Sequence, residues 1–126
     1  LNTDTDKFGD VCDAFLLDSN EWLDTDSDEV GDNSDNCTVV ANVDQRDTDS
    51  DGYGNKCDAD LTGDGTVNLS DYSLFRSAFR KSVPGIEPYT LIDHADLNDD
   101  GVVNLSDYSI FRASFRKAPG PSALSP

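Results

Sequence analysis

Apolar residues are distributed in two different ways along this 126-residue chain. Up to about residue 58 they stand singly or in short groups between acidic residues, with neither a helical nor an alternating period. Nothing there predicts a helix or strand able to bury a core. Beyond that point a period appears. Tyr72, Phe75 and Phe79 stand at i, i+3 and i+7, and Tyr108, Phe111 and Phe115 repeat the arrangement 36 residues later. That spacing predicts two amphipathic helices with all six aromatic side chains in the core. Pro84, Gly85 and Pro88 mark the connection, and residues 86–92 are expected to form a short turn or helix.

The helices belong to a duplication. Residues 60–81, DLTGDGTVNLSDYSLFRSAFRK, return at 96–117 as DLNDDGVVNLSDYSIFRASFRK, with sixteen of 22 positions identical. Ahead of the first helix Asp60, Thr62, Asp64, Thr66, Asn68 and Asp71 occupy loop positions 1, 3, 5, 7, 9 and 12, with Gly65 at 6. The second copy places Asp96, Asn98, Asp100, Val102, Asn104 and Asp107 at the same positions, with Gly101 at 6. Alternate side chains of a tightly turned loop point inward, and position 7 offers its carbonyl. Position 6 needs a backbone conformation that glycine adopts cheaply, and a carboxylate at 12 suits the first turn of the following helix. The order is similar to an EF-hand calcium loop, with Asp in place of the usual final Glu. A solvated turn is the alternative for one such cluster; two in register argue for calcium.

The first 58 residues hold three further near-repeats of D-x-D-x-D-x-x-G-D/N-x-x-D. Their oxygen side chains are Asn2, Asp4, Asp6, Asp10 and Asp13; Asp24, Asp26, Asp28, Asp32 and Asp35; and Asp47, Asp49, Asp51, Asn55 and Asp58. Phe8, Val30 and Tyr53 are expected to add a carbonyl each. Charges packed this densely repel, so a cation would take the place of a hydrophobic core and its binding energy would become folding energy. Phe15, Leu17, Trp22 and Leu23 are expected to pin one loop to the next, with an aromatic ligand platform as the other reading.

Charge supports a cation partner. Acidic residues outnumber basic ones 26 to 9, a net charge of −17. That excess argues against nucleic acid and anionic membranes. Disorder is the common outcome of such acidity, but these acids fall in D-x-D-x-D order rather than in blocks. No apolar run approaches the roughly 20 residues of a membrane span, and no signal peptide is recognisable. The abrupt start Leu1-Asn2-Thr3 raises the expectation of a piece of a larger parent polypeptide. Residues 1–58 carry net −14 and 59–126 net −3, which sets a module boundary near Asp58.

Two family resemblances are carried by these residues. The segment 35–58, DNCTVVANVDQRDTDSDGYGNKCD, resembles a thrombospondin type 3 repeat, and the likeness extends over about residues 2–58. Lys7 and Glu29 stand where a loop glycine is expected, and Thr38 replaces the family proline. The resemblance implies a Cys37–Cys57 disulfide, worth on the order of 3 kcal/mol for a loop of about 20 residues. It leaves Cys12 over. Zinc is the competing use of the cysteines, but there is no CxxC pair and His94 is the single histidine. Disulfides and calcium-dependent folding together point outside the cytosol.

Residues 60–117 resemble a type I dockerin, through the D-x-x-x-D-G-x-V-N-x-x-D order and the apolar position 8, Val67 and Val103. The resemblance implies two calcium loop–helix units, with Val67 and Val103 paired across a pseudo-dyad. It also implies a cohesin-like partner, bound through loop positions 10 and 11 and the exposed helix face. Those residues are Leu69, Ser70, Ser73, Leu74, Arg76, Ser77, Arg80 and Lys81, duplicated as Leu105, Ser106, Ser109, Ile110, Arg112, Ala113, Arg116 and Lys117. The two faces are expected to be nearly equivalent. Basic groups at helix C-termini also offset the helix dipole, which is the structural alternative.

The fold class expected is small calcium-stabilised modules: an irregular calcium-loop array with little regular secondary structure, then a mainly α, EF-hand-like pair of loop–helix units. The boundaries are 1–58, 59–118 and a flexible tail 119–126. No catalytic constellation is present, so no enzyme is expected. The function expected is a secreted or cell-surface, non-catalytic attachment and spacer region binding at least five Ca2+ ions. A structural stalk without a cohesin partner is the alternative, and a calcium sensor is less favoured because single-helix loops lack the paired helices that open in sensors.

Overall fold

The computed structural model of the chain describes residues 2–5, 7, 9–84 and 90–124. Asp6, Phe8 and the expected linker residues 85–89 lie outside the described residues. Among those described there are three α-helices, α1 (Leu69–Ala78), α2 (Leu91–Ala95) and α3 (Leu105–Ser114), and one 3-10 turn at Asn55–Cys57. Among the described residues before 55, the backbone is turns, bends and irregular chain.

Each long helix starts where its loop ends. Asn68 and Asn104 cap α1 and α3, and Asp71 and Asp107, three residues on, return a carboxylate to the cap's backbone N–H. Both orphan ends of a capping box are thereby satisfied. Both helices stop identically. Phe79 and Phe115 leave helical ψ (137° and 133°), and Arg80 and Arg116 come next at φ 68° and 66°.

The aromatic stripe forms the core, graded rather than uniform. Phe75 and Phe111 stack with centroids 5.2 Å apart and are nearly solvent-free. Tyr72, Phe79, Tyr108 and Phe115 pack around them half-buried. Ala59, Leu61, Val67, Ala78, Ala95, Leu97 and Val103 complete the cluster.

The expected Val67–Val103 pairing does not form. Val67 exchanges hydrogen bonds with Arg116 and Lys117 (2.7 and 2.9 Å), and Val103 with Arg80 and Lys81 (2.7 and 3.0 Å). Each loop is therefore tied to the chain leaving the other unit's helix. Both valine side chains are fully buried in the shared core, and their backbone groups meet the carbonyls and N–H groups that the helix ends leave unpaired.

The first module is held by polar contacts. Glu21 is buried and accepts from Asn33 N (3.2 Å) and the Ser34 hydroxyl. Asn42 N donates to Asp28 (2.7 Å), and Gln45 bridges Asp35 and Asn36. Of the expected apolar pinning cluster, Phe15 and Trp22 are half-buried, whereas Leu17 and Leu23 are 86% and 52% exposed. Cys37 and Cys57 form the disulfide, and Cys12 is free and exposed.

The tail also departs from expectation. Gly120 N donates to Cys57 O (3.0 Å), Pro121 O accepts from Thr38 N (3.1 Å), and Ala123 N donates to Asp35 O (2.9 Å). Residues 120–123 thus strap the end of the chain across the third loop, at Gly52 and Cys57, and the segment 35–38 beside it. Asp58 and Ala59, at the boundary between the modules, are both buried.

Phe75→Ala should cost about 3–5 kcal/mol in urea unfolding of the calcium-loaded chain. Ending the chain at Lys117 should lower the thermal midpoint of the first module while leaving the helical circular dichroism signal intact.

Candidate calcium loops and helix faces

One backbone conformation recurs in all five loops. Position 4 is left-handed in each: Thr5, Ser27, Ser50, Gly63 and Asp99 have φ between 60° and 70°. Position 6 is left-handed at Glu29, Gly52, Gly65 and Gly101, with φ from 75° to 95°. A Cβ on Gly65 or Gly101 would meet nothing within 4 Å, so glycine is needed there for conformation and not for space. Glu29 shows that the loop imposes this conformation even on a residue whose Cβ resists it.

The position-1 side chain gathers the turn. Asp24 accepts from Ser27, Asp28 and Glu29 N; Asp47 from Ser50 and Gly52 N; Asp60 from Gly63, Asp64 and Gly65 N; Asp96 from Asp100 and Gly101 N. Asn2 accepts from Thr5 N.

Carboxylates converge as a result. Asp24, Asp26 and Asp28; Asp47, Asp49 and Asp51; Asp60, Asp64 and Asp71; and Asp96, Asp100 and Asp107 each offer one oxygen within 4.8 Å of the others. Burial and the charges of Asp28, Asp35 and Asp24 push the Asp26 carboxyl up. Burial and neighbouring carboxylates push Asp49 up to about 6, against the pull of His94. Asp107 is likewise raised, chiefly by burial. Both oxygens of Asp26, and one each of Asp13 and Asp35, are buried with no hydrogen-bond donor. A buried carboxylate oxygen without a donor is costly, and a hard cation with oxygen ligands is the partner that satisfies it. The donor set fits calcium.

Position 9 makes contacts within its own loop. Asp10 and Asp32 give both oxygens to the position-2 threonines, Thr3 and Thr25, at 2.6–2.9 Å, and Asn55 pairs with Thr48 in the same way. Asn68 and Asn104 spend their carbonyl oxygen on the helix cap. Their amides donate to the position-7 carbonyls of Thr66 and Val102. These five residues brace the loops, a role that the threonine at position 2 and the helix start could have signalled.

Residues 58–116 match the family model for the dockerin type I domain, and residues 2–45 that for the thrombospondin type 3 repeat. The chain carries thrombospondin type 3 repeats followed by a dockerin type I domain. Both are calcium-binding, non-catalytic families. A solved structure described as "Type II cohesin-dockerin domain from Bacteroides cellolosolvens" is 35% identical over 48% of this chain and 85% of that one, with a TM-score of 0.39. No curated protein matches. The third loop, 47–58, falls almost wholly between the two matched segments yet has the left-handed position 4 of the other four.

The dockerin's helix faces are only partly equivalent. Leu69 and Leu105 are 71% and 69% exposed, and each stands at the edge of a groove between α1 and α3 floored by Tyr72 and Tyr108. Arg112 and Arg116 line one end of it and Arg76 the other. Ser70, Ser73, Arg76, Ser77, Arg80, Lys81, Ser106, Ser109, Arg112, Ala113, Arg116 and Lys117 are exposed. Leu74 and Ile110 are half-buried against the core. Behind α3, however, Ser109, Ile110, Ala113 and Lys117 face Val40, Lys56 and Cys57 of the third loop region across a cleft of about 480 Å3. α1 instead adjoins α2.

Chelation of calcium should abolish most of the helical signal near 222 nm and restore it on readdition; a chelator-resistant spectrum would contradict the fit. Gly101→Ala should cost about 1–2 kcal/mol and weaken calcium binding in calorimetry.

Proposed function

We propose that residues 59–118 attach the polypeptide carrying them to a cohesin-like partner, and that residues 1–58 act as a calcium-rigidified spacer. The observation that supports this best is the duplicated loop–helix unit presenting an exposed leucine and a basic rim twice on one small body. Six of the nine basic residues lie on these units, against a net charge of −17. An acidic protein surface is the complement such a rim selects.

In this reading calcium is held by Asp24, Asp26, Asp28 and Asp35 in the second loop, and by Asp47, Asp49, Asp51 and Asp58 in the third. Asp60, Thr62, Asp64 and Asp71 serve the fourth, and Asp96, Asn98, Asp100 and Asp107 the fifth. The first loop uses Asn2, Asp4 and Asp13 among its described residues, and Val30, Tyr53, Thr66 and Val102 add carbonyls. The ion supplies the countercharge and fixes the loops; the chain supplies preformed turns. The disulfide and the calcium demand favour an extracellular or cell-surface setting. The structural-stalk reading draws support from the strap and the buried seam between the modules.

Changing both Leu-Ser pairs to Asp-Asp (Leu69, Ser70, Leu105, Ser106) should weaken cohesin binding at least a hundredfold in surface plasmon resonance without altering the calcium-dependent melt. Wild-type chain that binds no member of a cohesin panel would leave the stalk as the function.

A further inference from the structure

His94 is the one histidine of the chain and sits in the last turn of α2, 3% exposed. Its Nε2 lies 2.8 Å from Asp58 Oδ2, and its Nδ1 lies 3.8 Å from Asp49 Oδ2. Those carboxylates are positions 12 and 3 of the third loop, 36 and 45 residues away in sequence. The second Asp58 oxygen accepts from Asp60 N (2.9 Å), position 1 of the next loop. Asn55, at position 9, donates to the Asp93 carbonyl of α2 (3.2 Å), and Arg46 pairs with Asp99 of the fifth loop at 3.0 Å. The other position-12 carboxylates are held differently. Asp71 and Asp107 take N–H groups of their own loops, and Asp35 takes Cys37 N and Gln45 Nε2.

We propose that the third loop is a calcium site shared by the two modules, completed from outside by His94 of the dockerin as a positioning residue. The imidazole holds Asp58 and stands against Asp49. Two like-charged groups 9 residues apart in the loop are thereby kept at the spacing an ion requires. Filling this loop also fastens α2, and with it the dockerin, to the repeats. The inference rests on the reading of residues 47–58 as a calcium loop.

Terbium is the probe, with emission excited through Tyr53 at position 7 and identified by its loss in Tyr53→Phe. Outer-shell partners of metal ligands typically contribute about 10–100-fold in affinity. His94→Ala should weaken the Tyr53-dependent terbium binding by that factor, and His94→Gln, which keeps a donor for Asp58, should recover most of it. Wild-type binding with His94→Ala unchanged within twofold overturns the shared site. No Tyr53-dependent emission in the wild type would instead defeat the calcium reading of the loop itself. Should His94→Ala not fold, the single histidine ring can be followed by 15N NMR at saturating calcium. Its shifts should differ between wild type and Asp47→Ala, and identical shifts overturn the proposal.

Discussion

Capture of a carboxylate by the backbone of its own turn is the interaction on which this chain depends. With 26 acidic and nine basic residues, self-repulsion opposes any compact state. Asp24, Asp47, Asp60 and Asp96 each take two or three N–H groups from the next few residues. Hydrogen bonds of this kind favour the charged form. For Asp60 they outweigh burial and hold its carboxyl below the usual range. The same bonds accompany left-handed φ at positions 4 and 6 and bring position 1 together with positions 3 and 5, or with 5 and 12. Repulsion is thus concentrated at points where one divalent ion can relieve it.

The later residues of each loop decide how it packs. In the dockerin an amphipathic helix comes next, and ten-residue helices capped by Asn68 and Asn104 bring an aromatic core with them. In the repeats glycine stands at position 8 instead of valine, and a Cβ on Gly31 or Gly54 would collide with Glu21, or with Asn36 and Asn42. The spacer preceding each loop packs there directly. Polar side chains and a disulfide then do what a core does elsewhere. Calcium dependence should accordingly be more absolute in the repeats than in the dockerin.

The third repeat belongs physically to both modules. Asp58 ends one loop and abuts the next, the strap 120–123 crosses it, and α2 closes on it through His94. This arrangement makes the surroundings of the two dockerin helices unequal, although their sequences are nearly the same. A partner meeting α3 from behind would meet the third repeat as well; one meeting the groove between the helices would not.

By itself the sequence determined the five loops, the two long helices, the aromatic stripe that supplies the core, and the disulfide through its family resemblance. All of these are encoded by residue type at fixed local spacing, so a periodic reading finds them. The use of position 9 was only partly legible, because a side-chain oxygen that braces a turn and one that binds an ion have the same composition. Contacts between segments distant in the chain were decided by tertiary structure alone: the crossed pairing of Val67 and Val103 with the opposite helix ends, the strap, and the placing of His94 against Asp58. No local pattern signals them, since each depends on where an unpaired carbonyl, N–H or carboxylate of another segment comes to lie once the loops have closed.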